Sequence, residues 1–247
     1  MIVILPMAGK GSRFTKTGIK SPKPLIDVMG KPMVWWSLHS LKDINYSKIV
    51  VIALEEHESN YKLTNIFKNM GYSNIHYVFL DKVTEGQLCT VLAARHHIDT
   101  DEDILVISSD TYILSNLGKE IRDKSGKCHG IISVANMPGE QWSFASIDDN
   151  DKVIEVAEKK RISNNASTGL YYFNNGKEFI KTSDEIISCG EKTKGEYFII
   201  PVYQKYIDKG REVHISKAQV MWDMGNPTAL SGFVEFLTSN KREPLYE

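Results

Sequence analysis

The sequence IVILPMAGKGSRF at residues 2–14 joins an apolar run to a glycine-rich segment. The run Ile2–Leu5 predicts a buried strand. Gly9 and Gly11 allow successive backbone N–H groups to turn toward an anion, as in a phosphate-binding nest. The segment has no third glycine of a dinucleotide fingerprint and no GK[ST] of a P-loop. The stretch therefore predicts a strand followed by a phosphate-binding loop of another kind.

The rest of the chain alternates short apolar runs with amphipathic stretches. This pattern predicts βαβ units, and hence a mostly parallel central sheet with helices on both faces. The predicted helices are Pro32–Leu41, His57–Met70, Gln87–His97, Lys177–Ser188 and Tyr197–Lys209. The later predicted strands of the first half are Ile49–Leu54, Ile75–Leu80 and Ile104–Ser108. Strand-like runs then dominate, at Gly130–Ala135, Ser143–Ile147, Val153–Val156 and Ser167–Phe173.

We therefore predict an α/β fold with a Rossmann-like first half and a β-rich second half. Neither a repeat nor a low-complexity linker interrupts the chain. One domain over residues 1–247 is expected, with halves 1–129 and 130–247. The 247 residues are enough to bury a sizeable core.

Composition excludes several functional classes. The formal net charge of -1 argues against nucleic acid as the main partner. No apolar stretch is long enough for a membrane span or signal peptide, so no membrane partner is expected. The three cysteines show no CxxC and predict thiols of a reducing compartment, which indicates the cytoplasm.

Two cations complete the expected phosphate site. Arg13 follows the glycines directly and can present a guanidinium fork to phosphate oxygens. Lys23 lies between Pro22 and Pro24, which restrict its backbone. The sequence therefore places two cations close to an anion-binding loop.

The two-part motif Gly9-x-Gly11-Ser12-Arg13-Phe14 and Pro22-Lys23-Pro24-Leu25-Ile26 resembles the signature of the sugar-phosphate nucleotidylyltransferases. Members include glucose-1-phosphate thymidylyl-, uridylyl- and cytidylyltransferases. The resemblance implies a nucleotidyltransferase fold and a Mg²⁺-dependent transfer that releases pyrophosphate. No hexapeptide repeats follow the motif region, so we expect no appended acetyltransferase domain of the kind that some members carry.

The resemblance also implies a role for each of several positions. Arg13 and Lys23 are expected to act in catalysis, and Asp110 and Asp223 to bind Mg²⁺. The expected nucleotide-binding residues are Ala8, Gly9, Gly11, Ser12, Gly86 and Gln87. The expected acceptor-binding residues are Glu158, Lys159, Thr168 and Lys194, although the family usually has arginine at the last position.

The chemistry of such a transfer agrees with this set of residues. A phosphate monoester is mostly dianionic near neutral pH, since its second pKa is about 6, and needs no general base to attack an α-phosphorus. The obstacle is the repulsion between anions, which cations and a metal ion relieve. Mg²⁺ often takes only one or two carboxylates, which Asp110 and Asp223 can supply.

Three further positions depart from the usual family pattern, namely Met7, Leu88 and Ser109. All three are expected near the base and the acceptor, so they predict an altered substrate rather than another reaction. The pattern resembles the surface-polysaccharide branch of the family, which includes cytidylylation of phosphoglutamine in capsule modification. We therefore expect CTP and a non-sugar phosphate such as phosphoglutamine, with a hexose 1-phosphate as the alternative.

Three other classes stay open on the sequence alone. A dinucleotide-dependent oxidoreductase would give Arg13 and Lys23 no role. A catalytically silent nucleotide sensor need not keep both Asp110 and Asp223. A glycosyltransferase shares the βαβ start and one metal aspartate, but does not explain the paired cations. The sequence leaves open whether the chain forms a homo-oligomer.

Overall fold

The computed structural model describes residues 1–124 and 126–239. The strands are β1 (Ile2–Pro6), β2 (Asp27–Val28), β3 (Lys31–Pro32), β4 (Lys48–Leu54), β5 (Ile75–Leu80), β6 (Ile104–Ile107), β7 (Thr111–Leu114), β8 (Gly130–Ala135), β9 (Ser143–Ile147), β10 (Val153–Glu158), β11 (Ala166–Phe173), β12 (Val213–Lys217) and β13 (Val220–Asp223). The α-helices are α1 (Ser12–Thr15), α2 (Met33–His39), α3 (Glu55–Tyr61), α4 (Leu63–Asn69), α5 (Gln87–Leu92), α6 (Arg95–Ile98), α7 (Leu117–Lys124), α8 (Gly176–Ser188), α9 (Ile200–Asp208) and α10 (Pro227–Ser239).

A nine-stranded sheet runs through both halves of the described chain. Its main path is β10-β9-β11-β6-β1-β4-β5, and β8 pairs with β11 and with β12. The strands of the first half are parallel, since β1 lies between β4 and β6 and β4 pairs with β5. The later strand β11 joins β6 antiparallel. The predicted parallel first half and β-rich second half are therefore confirmed as parts of one mixed sheet.

Apolar residues cover both faces of this sheet. Alternate residues of β1 divide between them: Ile2 and Ile4 pack with α5, α8 and α9, whereas Val3 and Leu5 pack with α2 and α4. Burial on both faces explains why these strands have continuous apolar sequences. No helix formed by residues 1–124 and 126–239 has the length and apolar character that crossing a membrane requires.

A third apolar cluster lies beneath the separate two-stranded sheet of β7 and β13. It contains Phe14 of α1, Trp36 of α2, Tyr112 of β7 and Phe233 of α10. Trp36 meets Phe233 edge to face, with ring centroids 5.2 Å apart. Trp36 is thus a packing residue, and this cluster connects distant segments of the chain to the same small sheet.

Two predicted helices are each divided in the structure. The segment His57–Met70 forms α3 and α4, because Lys62 has a left-handed backbone with φ 56°. The Glu58 carboxylate accepts hydrogen bonds from the Thr64 N–H and hydroxyl, both at 2.9 Å, which caps the second helix. The segment Gln87–His97 similarly forms α5 and α6. The sequence analysis also did not predict β7, β12, β13, α7 or α10.

A glycine sets the approach of β11 to the loop that follows β6. Gly169 has φ 88° at a register shift in β11, and its carbonyl accepts the Ser108 N–H at 2.9 Å. A Cβ at this position would lie 2.8 Å from the Ser108 Cβ and would also overlap its hydroxyl. Only glycine therefore permits this contact, two residues before Asp110.

We predict that Gly169→Ala destabilises the protein more than Gly18→Ala. Gly18 has nearly the same φ, 87°, but a Cβ there meets nothing within 4 Å. Both variants incur the cost of a left-handed alanine, about 1–2 kcal/mol, and only Gly169→Ala adds a packing clash of about 1–3 kcal/mol. Urea unfolding of both variants measures the difference. Equal losses would show that the contact with Ser108 imposes no constraint.

Candidate functional site

Strand pairing brings together two carboxylates that are far apart in the sequence. Asp223 is the last residue of β13 and pairs with Thr111, which follows Asp110. The Met224 N–H donates to the Asp110 carbonyl at 2.8 Å and closes the pair. The Gly225 N–H donates to Oδ1 of Asp223, also at 2.8 Å, which fixes the carboxylate. Asp110 and Asp223 therefore face the same point.

Gly225 marks that point. A Cβ built there would lie 2.9 Å from Oδ1 of Asp223 and 3.0 Å from Oδ2 of Asp110. Two carboxylate oxygens are thus held close together beside a residue without a side chain. Such hard oxygen donors suit Mg²⁺, which commonly takes one or two carboxylates and fills its other positions with water and phosphate. The residues present fit the magnesium ion that the sequence analysis expected.

The two carboxylates, Asp110 and Asp223, differ in how well nearby positive charge compensates them. Burial and the neighbouring Asp110 raise the pKa of the Asp223 carboxyl above its ordinary value, against the Gly225 N–H, Lys23 and Arg13, which lower it. Asp110 instead has a direct counter-ion, because Lys23 Nζ lies 2.6 Å from its Oδ2. An added cation would therefore favour the ionised form of Asp223.

The backbone around Lys23 is closely held. Lys23 begins a 3₁₀ helix, Lys23–Leu25, with Pro22 before it and Pro24 within it. A Cβ on Gly11 would come within 3.0 Å of the Lys23 Cβ, so the glycine loop and this segment lie in contact. The two halves of the sequence motif are therefore neighbours in space.

The glycine loop also brings Arg13 near the carboxylates. Gly11 has φ 61° and ends the loop, and α1 begins at Ser12. Arg13 lies in α1, and its Nη1 is 3.5 Å from the Gly225 carbonyl oxygen, at the limit of a hydrogen bond. Phe14 is buried in the third apolar cluster and anchors this helix. Arg13 and Lys23 thus both lie near the two carboxylates.

A cavity of about 490 Å³ extends from the glycine loop to the start of α5. Its lining includes the loop residues Ala8, Gly9, Gly11 and Ser12, with Lys23 beside them. Thr84, Gly86, Gln87, Thr90, Ser109 and Glu196 also line it. All six sequence-predicted nucleotide-binding residues therefore line one cavity. Its volume is in the range of sites for drug-sized ligands.

Gly86 has a structural role besides lining the cavity. Its φ is 134°, and a Cβ there would come within 2.5 Å of the Tyr197 nitrogen and overlap the Tyr197 carbonyl oxygen. The backbones also pair, since the Tyr197 N–H donates to the Glu85 carbonyl at 2.8 Å and the Leu88 N–H donates to the Tyr197 carbonyl at 3.1 Å. Gly86 thus joins the cavity wall to the second half of the chain.

The departures from the family pattern at Met7, Leu88 and Ser109 lie in two different environments. Met7 and Ser109 line the cavity. Leu88 is 0% exposed and packs in the core between the sheet and its helices. The expectation that Leu88 alters the pocket lining is therefore wrong: at the second position of α5 its side chain turns inward, toward the sheet.

Three of the expected acceptor residues lie close together. Burial raises the pKa of the Glu158 carboxyl, and a hydrogen bond from the Ser143 hydroxyl opposes this, as do Lys159 and Lys194. Lys159 Nζ lies 4.1 Å from the centre of the Phe198 ring, a cation–π contact. Lys194 is exposed on a tight turn, Thr193–Glu196, that two backbone hydrogen bonds close.

The structure does not bring Thr168 into this group. Its side chain is 0% exposed, and its hydroxyl lies 2.8 Å from the Ser133 hydroxyl on the neighbouring strand β8. This hydrogen bond is formed inside the sheet. A surface contact with an acceptor is therefore not open to Thr168 in this arrangement.

The sequence analysis missed several residues of the site. Thr84, Thr90 and Glu196 line the cavity. The hydroxyls of Thr84 and Thr90, 2.6 Å apart, belong to separate segments, and no local pattern predicts their meeting. Gly225 comes two residues after Asp223, which was expected to bind the metal. Its close approach to Asp110, however, depends on the pairing of β7 with β13.

Comparison with known proteins identifies the class. The family model described as Nucleotidyl transferase matches residues 2–240. The chain therefore belongs to the nucleotidyl transferase family. Both parts of the glycine motif and both aspartates lie within the matched residues.

Individual relatives are distant but match over most of the chain. The bifunctional protein GlmU of Methanocaldococcus jannaschii is 26% identical over 234 residues, covering 92% of this chain and 52% of the relative. The chain thus spans about half the length of such bifunctional relatives. Glucose-1-phosphate thymidylyltransferase of Xanthomonas campestris pv. campestris is 26% identical over 218 residues, covering 86% of this chain and 71% of the enzyme.

A solved structure shows the same fold. The nucleoside-diphosphate-sugar pyrophosphorylase of Vibrio cholerae RC9 superposes with a TM-score of 0.82 and 27% identity, covering 95% of this chain and 100% of that one. A UDP-glucose pyrophosphorylase complexed with UDP-glucose, at 16% identity and a TM-score of 0.78, shares the fold over 96% of this chain. The Rossmann-like nucleotidyltransferase fold is confirmed.

We predict that Asp223→Asn stabilises the metal-free protein at neutral pH. The raised pKa means that the folded state binds the Asp223 proton more tightly than the unfolded state does, so stability falls as the pH rises through the folded pKa. The neutral amide removes that loss and can still accept the Gly225 N–H. The gain should disappear below the unfolded pKa of about 3.9, where the wild-type group is protonated in both states.

Chemical denaturation in a chelating buffer, at several pH values, measures this gain. Asp81→Asn is the control, because Asp81 is exposed on the surface and its change should stay within about 0.5 kcal/mol. A lower stability of Asp223→Asn at neutral pH would contradict the inferred repulsion between the two carboxylates.

Proposed function

We propose that this chain transfers a nucleotidyl group from a pyrimidine nucleoside triphosphate to a small phosphorylated metabolite and releases pyrophosphate. The observation that carries the proposal is the meeting of Asp110 and Asp223 beside Lys23, which lines one cavity together with the glycine loop. Two carboxylates, a lysine and an anion-binding loop are the groups that a triphosphate and its metal require.

The triphosphate is proposed to lie over the glycine loop. Backbone N–H groups of residues 8–12 would contact the phosphates, since Gly11 gives the loop its left-handed turn. Arg13 would hold the departing β- and γ-phosphates through its guanidinium group. The base would then lie at the other end of the cavity, against Gly86 and Gln87. Gln87 offers both a donor and an acceptor to a pyrimidine edge.

Asp110 and Asp223 would hold Mg²⁺ in this arrangement. The ion, when bound, supplies positive charge that offsets the charge of the triphosphate in the transition state. Lys23 would neutralise the α-phosphate while the acceptor approaches. The chain needs no general base for this step, because the acceptor phosphate is already an anion.

The acceptor is proposed to bind beside Glu158, at the end of β10. Lys159 would hold the acceptor phosphate, and Lys194 would add a second positive charge from its exposed turn. Glu158 would accept hydrogen bonds from the acceptor body. Thr168 would act from behind the surface, by fixing β11 against β8 through Ser133. Residues 1–129 thus supply the nucleotide half and residues 130–247 the acceptor half.

Two acceptor classes are proposed, each on a specific observation. A hexose 1-phosphate is favoured by the relatives, which include a glucose-1-phosphate thymidylyltransferase. A non-sugar phosphate such as phosphoglutamine, with CTP as donor and a role in capsule or surface-polysaccharide synthesis, is favoured by the resemblance in sequence and by Met7 and Ser109 in the cavity wall. Leu88 no longer supports the second class, because it lies in the core.

The proposed setting is the cytoplasm. Nucleoside triphosphates are made and used there, and all three cysteines are unpaired, as in a reducing compartment. Cys128 is buried, whereas Cys189 is exposed and Cys89 only partly covered.

A panel of CTP, UTP and dTTP with sugar and non-sugar phosphates tests the proposal, with pyrophosphate release as the readout. We expect release with one pyrimidine triphosphate and one acceptor class, and its loss in EDTA. Arg13→Ala should lower kcat/KM with those substrates about a hundred- to a thousandfold, as expected for one preorganised contact to a transition state.

The panel also separates the alternatives. CTP with phosphoglutamine as the best pair would support the capsule role, and dTTP or UTP with glucose 1-phosphate would support sugar activation. Nucleotide binding without pyrophosphate release from any pair would indicate a nucleotide sensor. Undiminished release in EDTA would contradict the metal role of Asp110 and Asp223. Lys16→Ala, an exposed lysine one turn beyond Arg13, controls for a general loss of positive charge.

A further inference from the structure

Lys23 forms its ion pair with a residue that the proposed function assigns to the metal. Nζ of Lys23 lies 2.6 Å from Oδ2 of Asp110. The Lys23 and Asp110 side chains are only 25% and 20% exposed, so water screens the pair less than it screens a surface ion pair. The ammonium thus contacts Oδ2 of Asp110, the same oxygen that lies beside Gly225 and Asp223.

The Lys23 backbone cannot move away from this position easily. The Ile26 N–H donates to the Lys23 carbonyl at 3.2 Å and closes the 3₁₀ turn. Buried Pro24 and the contact with Gly11 restrict it further. Exchange of the ammonium between partners must therefore occur through the side chain, which has a flexible four-carbon stem.

The position of Lys23 gives its ammonium a second partner within reach. Lys23 lines the large cavity together with the glycine loop. It also lines a smaller cavity of about 200 Å³ with Arg13 and Gly225. A phosphate over the glycine loop would lie beside this same side chain. Lys23 can therefore bind either Asp110 or a phosphate without a change in the fold.

From this geometry we infer that Lys23 is a built-in counter-ion that blocks the metal site until a polyphosphate arrives. This inference rests on the proposed function, which makes Asp110 a metal ligand. Without a polyphosphate, a divalent cation must displace the Lys23 ammonium from Asp110 and leave it without a partner. With a polyphosphate, the ammonium moves to the phosphate and frees the carboxylate.

The consequence is positive coupling between metal and polyphosphate. Each ligand removes the same competing ion pair for the other, so each raises the affinity of the other by an equal factor. If the ion pair of Lys23 with Asp110 only stabilised the fold, its removal would have a different effect. Removing it would leave Asp110 less well positioned and would not raise the affinity for a free cation.

The test measures binding of Mn²⁺ alone to the whole protein, by the loss of the free-ion signal in electron paramagnetic resonance. Mn²⁺ prefers the same oxygen ligands as Mg²⁺. Lys23→Met removes the ammonium and keeps an apolar stem, and it should raise the affinity for Mn²⁺ alone about tenfold or more. Lys23→Arg keeps the charge and should leave the affinity low.

A matched control comes from the same cavity. Lys10 is exposed and lines the cavity, and in the described part of the chain it forms no ion pair with a carboxylate. Lys10→Met removes the same net charge, so its Mn²⁺ affinity should change by less than about threefold if only general electrostatics act. Thermal melting of all three variants checks that they fold.

Pyrophosphate provides the second half of the measurement, because it is the expected product and carries no base. In the wild-type protein, pyrophosphate should raise the affinity for Mn²⁺ strongly. In Lys23→Met this coupling should fall, since the ammonium that links the ligands is gone. Unchanged or weaker binding of Mn²⁺ alone by folded Lys23→Met would overturn the counter-ion role.

Different results would contradict the counter-ion role and the proposed function. If wild-type protein binds Mn²⁺ with pyrophosphate through Asp223, but Lys23→Met leaves binding of Mn²⁺ alone unchanged, only the counter-ion role is wrong. If Mn²⁺ does not bind with or without pyrophosphate and Asp223→Asn changes nothing, the metal site itself is wrong and both proposals fall.

Discussion

The site depends on one short piece of strand pairing. β13 pairs antiparallel with β7, and the Met224 N–H donates to the Asp110 carbonyl at 2.8 Å. This pairing joins residues more than a hundred positions apart in the chain. Without it Asp110 would be a lone carboxylate after a strand. The apolar cluster beneath this small sheet, with Trp36 and Phe233, supports the pairing and also anchors Phe14 of the helix that carries Arg13.

The arrangement of charge follows from that geometry. Two carboxylates held around Gly225 repel each other, and burial raises the pKa of Asp223 further. Lys23 offsets part of the repulsion through its ion pair with Asp110. The folded protein thus keeps an unfavourable pair of acids that a divalent cation would stabilise. Unfavourable charge pairs of this kind are common at functional sites, where groups are arranged to bind a ligand rather than to stabilise the free protein.

Sequence alone predicted the parts of this molecule that local pattern controls. Continuous apolar runs predicted the core strands, and the glycine motif with Lys23 predicted part of the cavity lining. The division of the helix at Lys62 was missed, because it depends on a cap from the Glu58 side chain. The inward direction of Leu88 was also missed, since the start and rotation of α5 depend on the contact of Gly86 with the Tyr197 backbone. The first is a side-chain contact within one short segment, and the second joins segments that are far apart in the chain.

The most direct test of the central claim is a crystal structure of the protein with Mn²⁺ and a non-hydrolysable CTP analogue, with an anomalous map to locate the metal. We expect an anomalous peak held by both Asp110 and Asp223, phosphates over residues 8–13 and the base against Gly86 and Gln87. Lys23 should have left Asp110 for a phosphate oxygen. A nucleotide in another part of the molecule, or a metal that contacts neither aspartate, would contradict the account.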